Sequence, residues 1–178
     1  MGSVTLVTGG VRSGKSAWAI KRGEAVRADR RIFIATARAL DEEMRERVRS
    51  HRQERGGRWD TVEAECDLAN VVDSLPDGTV AVIDCCTVWL GNVWHLHGNS
   101  NENLEKHVKV LCDALDRWKR CGTGEIIIVS NEVGWGIVPL EPEVRRYRDW
   151  AGRLNQRIAA LAQKVYLSVA GIPVKIKG

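Results

Sequence analysis

The stretch VTLVTGGVRSGKSAW, which runs from Val4 to Trp18, decides the fold. Its first five residues, Val4–Thr8, are apolar or β-branched and predict a strand. The next eight residues match the pattern G-x-x-x-x-G-K-[ST], and a helix is expected after Gly14. Glycines allow a tight loop whose backbone N–H groups point inward, and a helix N-terminus adds partial positive charge. The stretch therefore predicts a phosphate-binding loop.

Two side chains of this loop have specific expected roles. Lys15 would reach the β- and γ-phosphates of a nucleoside triphosphate, and Ser16 would coordinate Mg²⁺. The rest of the loop would surround the phosphates: Gly9, Gly10, Val11, Arg12, Ser13 and Gly14. The alternative is a glycine-rich turn with a surface lysine. The order of predicted strand, loop and helix along the sequence disfavours this alternative. The spacing does not fit the dinucleotide pattern G-x-G-x-x-G.

Further apolar runs alternate with helical patterns along the chain. Strands are predicted at Arg31–Thr36, Thr79–Asp84, Glu125–Ser130 and Val165–Ala170, with Ile172–Lys177 as a candidate edge strand. Helices are predicted at Leu40–Arg55, Asn101–Arg120 and Pro142–Leu161. Nearly continuous apolar strands indicate a parallel sheet that is buried on both faces. We expect one domain, residues 1–178, with a P-loop NTPase-type, RecA-like α/β fold: a mostly parallel twisted sheet with helices on both faces.

Composition excludes several classes of protein. The 178 residues are 44% hydrophobic and 28% charged, with a net charge of +4, and most basic residues are interleaved with acidic ones. This pattern favours solvated helix faces over a nucleic-acid site. The five cysteines include no C-x-x-C pair, so neither zinc nor a disulfide framework is indicated, and a reducing cytoplasm fits. No long apolar run or secretion signal is present, so we expect no membrane span.

Acidic and amide side chains follow two of the predicted strands. Asp84 ends the run VAVID and is the expected second Mg²⁺ ligand, although it could instead cap the next helix. Asn131 and Glu132 follow the run IIIVS, at the sheet edge where ligands bind in open α/β folds. Glu132 could orient a hydroxyl group or a Mg²⁺-bound water, or it could cap the following segment.

His51 is unusual because it shares a helical stripe with Met44 and Val48. A partly buried, hydrogen-bonded histidine is one interpretation. The other is a neutral imidazole that attacks the α-phosphate of a nucleotide, with neighbouring arginines neutralising charge on the phosphate oxygens. Spacing alone leaves both open.

Several segments together resemble one enzyme family over essentially the whole chain. They are TGGVRSGKS, IATARALDEEMRERVRSHR, the W-x-T-x-E pattern from Trp59 to Glu63, NEVGWGIVP and RDWAGRLNQRIA. In the same order and at similar spacing, they resemble the bifunctional adenosylcobinamide kinase / adenosylcobinamide-phosphate guanylyltransferases of cobalamin biosynthesis. The phosphate loop is generic, but NEVG-x-GIVP with RDxAGRxNQ is specific.

The resemblance implies both chemistry and residues. It implies phosphorylation of adenosylcobinamide by a nucleoside triphosphate, GTP or ATP, followed by transfer of GMP from GTP through guanylylated His51. Lys15 would be the second catalytic residue. Implied nucleotide contacts beyond the loop are Ile34, Ala35, Thr36, Arg52, Gln53, Glu54, Arg55, Glu63 and Asp84. The implied partners are the nucleotide, a corrinoid and further copies of the chain in a homo-oligomer, a trimer in relatives.

The chain departs from the family pattern at Gly56 and Gly57, where relatives usually carry Arg-Pro. Two glycines make a looser connection to the His51 segment than proline would. Two rival functions remain at this point. One is a monofunctional P-loop kinase of another small alcohol, and the other is a nucleotide-switch binding module, although no guanine-reading N-K-x-D segment is evident.

Overall fold

A seven-stranded sheet forms the centre of the protein, in a computed structural model that describes residues 1–38, 56–97 and 100–178. The strands, in the spatial order β3-β2-β4-β5-β1-β6-β7, are all parallel except for the antiparallel edge strand β7. Their bounds are β1 Ser3–Gly9, β2 Arg30–Ala35, β3 Asp60–Glu63, β4 Thr79–Asp84, β5 Gly124–Val129, β6 Lys164–Val169 and β7 Ile172–Lys177.

Helices cover the two faces of this sheet. In the described residues they are α1 Lys15–Ala25, α2 Leu68–Asp73, α3 Cys86–Leu96, α4 Asn101–Cys121 and α5 Pro142–Leu161, and a 3₁₀ turn spans Gly56–Arg58. Successive side chains of a strand point to opposite faces of the sheet. Leu6 and Val7 of β1 therefore lie in two different apolar clusters, one on each face. The cluster around Val7 contains Ala19 of α1, and the cluster around Leu6 contains side chains of α2 to α5.

A buried ion pair links α1 to the sheet. Arg22 donates from Nε and Nη2 to Oε1 of Glu125 at 2.9 and 2.8 Å, and Thr5 donates to the same oxygen at 2.6 Å. The Glu125 side chain is only 7% exposed. Since three donors converge on one buried carboxylate, its charge is compensated, and the helix behind the phosphate loop is fixed against β1 and β5.

The predicted fold class is confirmed, and its strands are found within a residue or two of the expected bounds. Three elements were not predicted: the short edge strand β3, the six-residue α2, and α3, whose sequence is apolar on most sides. Apolar residues recur at helical spacing from Val144 to Leu161 and predict one buried stripe on α5, but Val144 is 44% exposed. The predicted helix Leu40–Arg55 lies entirely outside the described residues. No helix in the described parts is long and apolar enough to span a membrane.

Candidate active site

The loop between β1 and α1 has the backbone shape that its glycines predict. Gly9 has φ +147°, and a Cβ there would lie 2.3 Å from the carbonyl oxygen of Ser168. Gly14 has φ +90° directly before α1, and a Cβ there would lie 3.0 Å from Cα of Gly171. Side chains at these two positions would clash with backbone, so the loop can close only with glycine. Between them Arg12 also has positive φ, at 55°.

Lys15 is buried inside the loop rather than extended into solvent. Its ammonium donates to the Gly10 carbonyl at 2.6 Å and to Ser13 Oγ at 3.3 Å, and the residue is 6% exposed. Burial lowers the pKa of Lys15, and the nearby acidic groups Cys85, Asp84 and Glu132 oppose that shift. The lysine therefore lies where an anion held by the loop would gain a buried positive charge.

The loop positions differ in how far they are covered. Ser13 and Lys15 are buried, Gly14 and Ser16 are half-buried, and Gly10, Val11 and Arg12 are exposed. The backbone N–H of Gly171, in the β6–β7 turn, donates to the Ser13 carbonyl at 3.0 Å, and the Ser168 hydroxyl donates to the same oxygen. The loop is thus supported from β6 and from the turn that follows it.

Ser16 and Asp84 have the donor chemistry that Mg²⁺ requires. Ser16 is in the first turn of α1, and Asp84 ends β4, close enough to Lys15 to influence its pKa. Mg²⁺ takes hard oxygen ligands and usually binds through one or two carboxylates together with substrate phosphates. Within the described ranges no group of three or more His, Cys, Asp or Glu residues could hold a metal ion.

The carboxyl ends of β2, β3 and β4 lie side by side at one edge of the sheet. Ala35 pairs with both Glu63 and Asp84 in the sheet, so three expected nucleotide contacts share one edge. The Thr36 hydroxyl donates to the Cys85 carbonyl and accepts from the Cys85 N–H, both at 2.8 Å. Ile34 is fully buried in the core, so its side chain cannot reach a ligand at this edge. Glu63 is exposed.

Glu132 lies directly against the phosphate loop. Its backbone N–H donates to the Gly9 carbonyl at 3.0 Å, and its Oε1 accepts hydrogen bonds from Thr8 Oγ1 at 2.7 Å and Asn155 Nδ2 at 3.0 Å. Asn155 also donates to the Asn131 carbonyl at 3.1 Å and accepts from the Ser130 hydroxyl at 2.6 Å. Glu132 is therefore held in place by two fixed donors.

The structure adds Asn155 to the residues around the site. It lies on the buried side of α5 beside Leu154 and is only 8% exposed. An amide on an apolar helical stripe is the one sequence signal that could have identified it, because buried amides require hydrogen-bond partners.

The loop between β5 and α5 presents apolar side chains to solvent. Ile137 is 97% exposed, Leu140 is 88% exposed and Trp135 is 70% exposed. Arg148 donates from Nη1 to the Ile137 carbonyl and from Nη2 to the Gly134 carbonyl, both at 2.8 Å. The backbone of this loop is thus tied to α5 while its apolar side chains point away.

Two thiols next to the site are shielded from solvent. Burial, helped by the nearby carboxylate of Asp84, raises the pKa of Cys85 to about 11. Burial also raises the pKa of Cys86. Both thiols are therefore protonated at neutral pH, and they pack as small apolar groups. All five cysteines lie in the described residues and are free.

One group of expected site residues lies outside the described residues: His51, Arg52, Gln53, Glu54 and Arg55. Those that are described lie on the loop or at the carboxyl edge of the sheet, with the Ile34 side chain turned into the core.

Comparison with known proteins assigns the chain to a family. The family model for cobinamide kinase / cobinamide phosphate guanyltransferase matches residues 5–176. The chain belongs to this family. It is 38% identical over 186 residues to the bifunctional adenosylcobalamin biosynthesis protein CobU of Salmonella typhimurium, covering 97% of this chain and 98% of the relative. It is 39% identical over 177 residues to the bifunctional protein CobP of Pseudomonas aeruginosa, covering 97% and 96%.

Solved structures support the fold assignment. The assembled ATPase EscN of the enteropathogenic Escherichia coli type III secretion system aligns with a TM-score of 0.57 and 11% identity, over 95% of this chain and 43% of that one. At this identity the likeness concerns the fold alone, which is that of P-loop NTPases.

Proposed function

We propose that this protein phosphorylates adenosylcobinamide with a nucleoside triphosphate and then transfers GMP from GTP to the phosphorylated product. The observation that carries the proposal is the position of Lys15, buried within the loop and close to the carboxylates of Asp84 and Glu132. A buried cation and adjoining acidic groups suit a site that binds a triphosphate, a divalent cation and a hydroxyl group. Membership of the family supplies the substrate class.

In the kinase step the chain positions the triphosphate and receives a proton. The loop amides and Lys15 hold the phosphates, and the substrate hydroxyl oxygen attacks the γ-phosphorus in line. The bond from that phosphorus to the β,γ-bridging oxygen breaks, the nucleoside diphosphate leaves, and the hydroxyl proton passes to Glu132. Mg²⁺ held by Ser16 and Asp84 would neutralise negative charge on the phosphate oxygens.

In the guanylyl transfer step His51 is the nucleophile. A ring nitrogen of His51 attacks the α-phosphorus of GTP, the bond to the pyrophosphate oxygen breaks, and pyrophosphate leaves. A phosphate oxygen of the corrinoid phosphate then attacks the same phosphorus, the N–P bond breaks, and His51 is regenerated. Gln53, Glu54 and the arginines Arg52 and Arg55 would border the nucleotide beside the histidine.

The corrinoid would meet the apolar loop between β5 and α5. This loop follows Val129 and contains Glu132, which we assign to the substrate hydroxyl, and it exposes Trp135, Ile137 and Leu140. A corrin ring is large and partly apolar, and an exposed apolar patch is typical of a binding surface. The proposal also includes a cytoplasmic location and assembly into a homo-oligomer. Analytical ultracentrifugation would measure the number of subunits.

The test is a double-label reaction with adenosylcobinamide, Mg²⁺ and GTP that carries the label in either the α- or the γ-phosphate. We expect both labels to reach the corrinoid, and we expect Lys15→Ala to abolish transfer of the γ-label. A monofunctional kinase would transfer the γ-label alone, and a nucleotide-switch module would transfer neither. Either of those results would overturn the proposal.

A further inference from the structure

A groove runs along the outer side of α1, away from Asp84 and Glu132. It has a volume of about 790 Å³, begins at Gly14 and Gly171, and continues past Trp18 to Val26. One wall is α1 and the other is the β6–β7 hairpin, which contributes Pro173. The groove therefore opens directly from the end of the phosphate loop.

The lining of the groove suits a flat, uncharged ring attached to an anion. Trp18 is half-buried and packs against Tyr166, with ring centroids 4.5 Å apart. The Arg22 guanidinium, which is paired with Glu125, lies 5.8 Å from the centroid of the Trp18 ring, and Lys21 also lines the groove. Aromatic rings that line a groove provide stacking surfaces for nucleobases, and a cation next to them, here Lys21, favours phosphorylated ligands.

The order of the strands fixes which end of a nucleotide can face this groove. β4 and β5, which carry Asp84 and lead into Glu132, lie on one side of β1, and β6 and β7 lie on the other. The γ-phosphate must be near the carboxylates for transfer to occur. With the triphosphate along the loop, the nucleoside then extends to the β6 side, where Trp18 is four residues beyond Gly14, about 6 Å along the helix axis.

The expected contacts Ala35 and Glu63 lie on the opposite side of the loop, at the ends of β2 and β3. One nucleoside cannot occupy both places. We propose that the groove lined by Ala17, Trp18 and Pro173 binds the nucleoside of the phosphate donor in the kinase step, while the ends of β2 and β3 serve the GTP of guanylyl transfer. This inference rests on the proposed function, since it assumes that the loop binds a triphosphate.

Comparison of MgATP with Mg²⁺-tripolyphosphate tests the groove, because tripolyphosphate has the phosphates without a nucleoside. Isothermal titration calorimetry on the full chain would measure the Kd of both ligands for wild type, Trp18→Leu and Ala17→Leu. Ala17 is an exposed residue of α1, and a leucine there would narrow the groove. We expect each variant to raise the Kd for ATP about 5- to 150-fold, the range for loss of one base–aromatic stack. The Kd for tripolyphosphate should stay within about twofold. Ala160→Leu, the same change on an exposed face of α5, should alter neither.

Photolabelling with 8-azido-ATP gives a second measurement on the unmodified protein, independent of how well the variants fold. We expect adducts in peptides from residues 16–26 or 171–175, and excess tripolyphosphate should prevent them. Adducts confined to residues 34–36 or 61–65, or equal weakening of both ligands by the groove variants, would overturn the inference while leaving the phosphate loop intact. If wild type bound neither ligand, the proposed function would fail, and the groove assignment with it.

Discussion

Asn155 Nδ2 donates a hydrogen bond of 3.0 Å to Glu132 Oε1, which links the middle of α5 to the phosphate loop. Because the Glu132 backbone also donates to the Gly9 carbonyl, the carboxylate is anchored from two directions. In the proposed function Glu132 accepts the proton of the substrate hydroxyl, and the hydrogen bond from Asn155 would hold its carboxylate in position.

Replacing Glu132 tests its role as proton acceptor. Glu132→Gln preserves the shape of the side chain but removes its basicity, so kcat for phosphorylation of the corrinoid should fall about 100- to 10,000-fold. Guanylylation of the protein by GTP should persist, because the nucleophile that we propose for that step is His51. Glu143→Gln, the same change at an exposed position of α5, provides the control. Unchanged kinase turnover in Glu132→Gln would rule out the assignment.

Asn155→Leu tests the positioning role. The change removes the Asn155 hydrogen bonds to the Ser130 hydroxyl and the Glu132 carboxylate, which keep Thr87 and Thr8 as partners, and should lower the free energy of unfolding by about 1–3 kcal/mol. We expect kcat to fall while KM for the nucleotide stays constant, because the loop itself is untouched. Gln156→Leu, at the exposed neighbouring position, should change neither quantity. A purely structural role would lower stability without this selective loss of kcat.

The lowered pKa of Lys15 makes phosphate binding sensitive to alkaline pH. Burial favours the neutral amine, so the lysine loses its charge below the ordinary value of 10.5. Affinity for tripolyphosphate, measured without Mg²⁺, should be constant at lower pH and should fall as pH rises through the lowered pKa. Lys15→Met should bind weakly with no such transition. A midpoint at or above 10.5 in the folded wild type would contradict the burial argument.

The buried Arg22–Glu125 ion pair should contribute more to the free energy of unfolding than the exposed Arg117–Asp73 pair. Glu125→Gln leaves a largely buried guanidinium without its counter-charge, and should cost about 3 kcal/mol of unfolding free energy, measured by urea denaturation. This is the lower end for buried pairs, because the Arg22 side chain is 21% exposed. Asp73→Asn breaks the exposed pair with Arg117 and should leave the denaturation midpoint unchanged. Equal losses of unfolding free energy in the two variants would contradict the expected difference between the buried and the exposed ion pair.

Local sequence predicted the parts of the site that depend on neighbouring residues. The loop from Gly9 to Ser16 follows from glycine spacing between a strand and a helix. The placement of Asp84 and Glu132 at the same edge of the sheet follows from the rule that parallel strands bring their carboxyl ends to one edge.

Features that depend on distant contacts could not be predicted in this way. The apolar sequence of α3 gives little helical periodicity, because Trp89 and Leu90 are both fully enclosed. The groove exists only because the β6–β7 hairpin lies beside α1, and that neighbourhood is set by strand order. The contact between Asn155 and Glu132 joins residues 23 positions apart and requires the packed position of α5.

The account depends most on covalent capture of GMP by His51. The most direct measurement is intact-protein mass spectrometry after incubation with GTP and Mg²⁺, followed by peptide mapping, for wild type and His51→Asn. We predict that wild type gains the mass of one GMP on His51, through a bond that is labile to acid and stable to base, and that the variant gains none. Wild type without an adduct, or an adduct that persists in His51→Asn, would contradict the account.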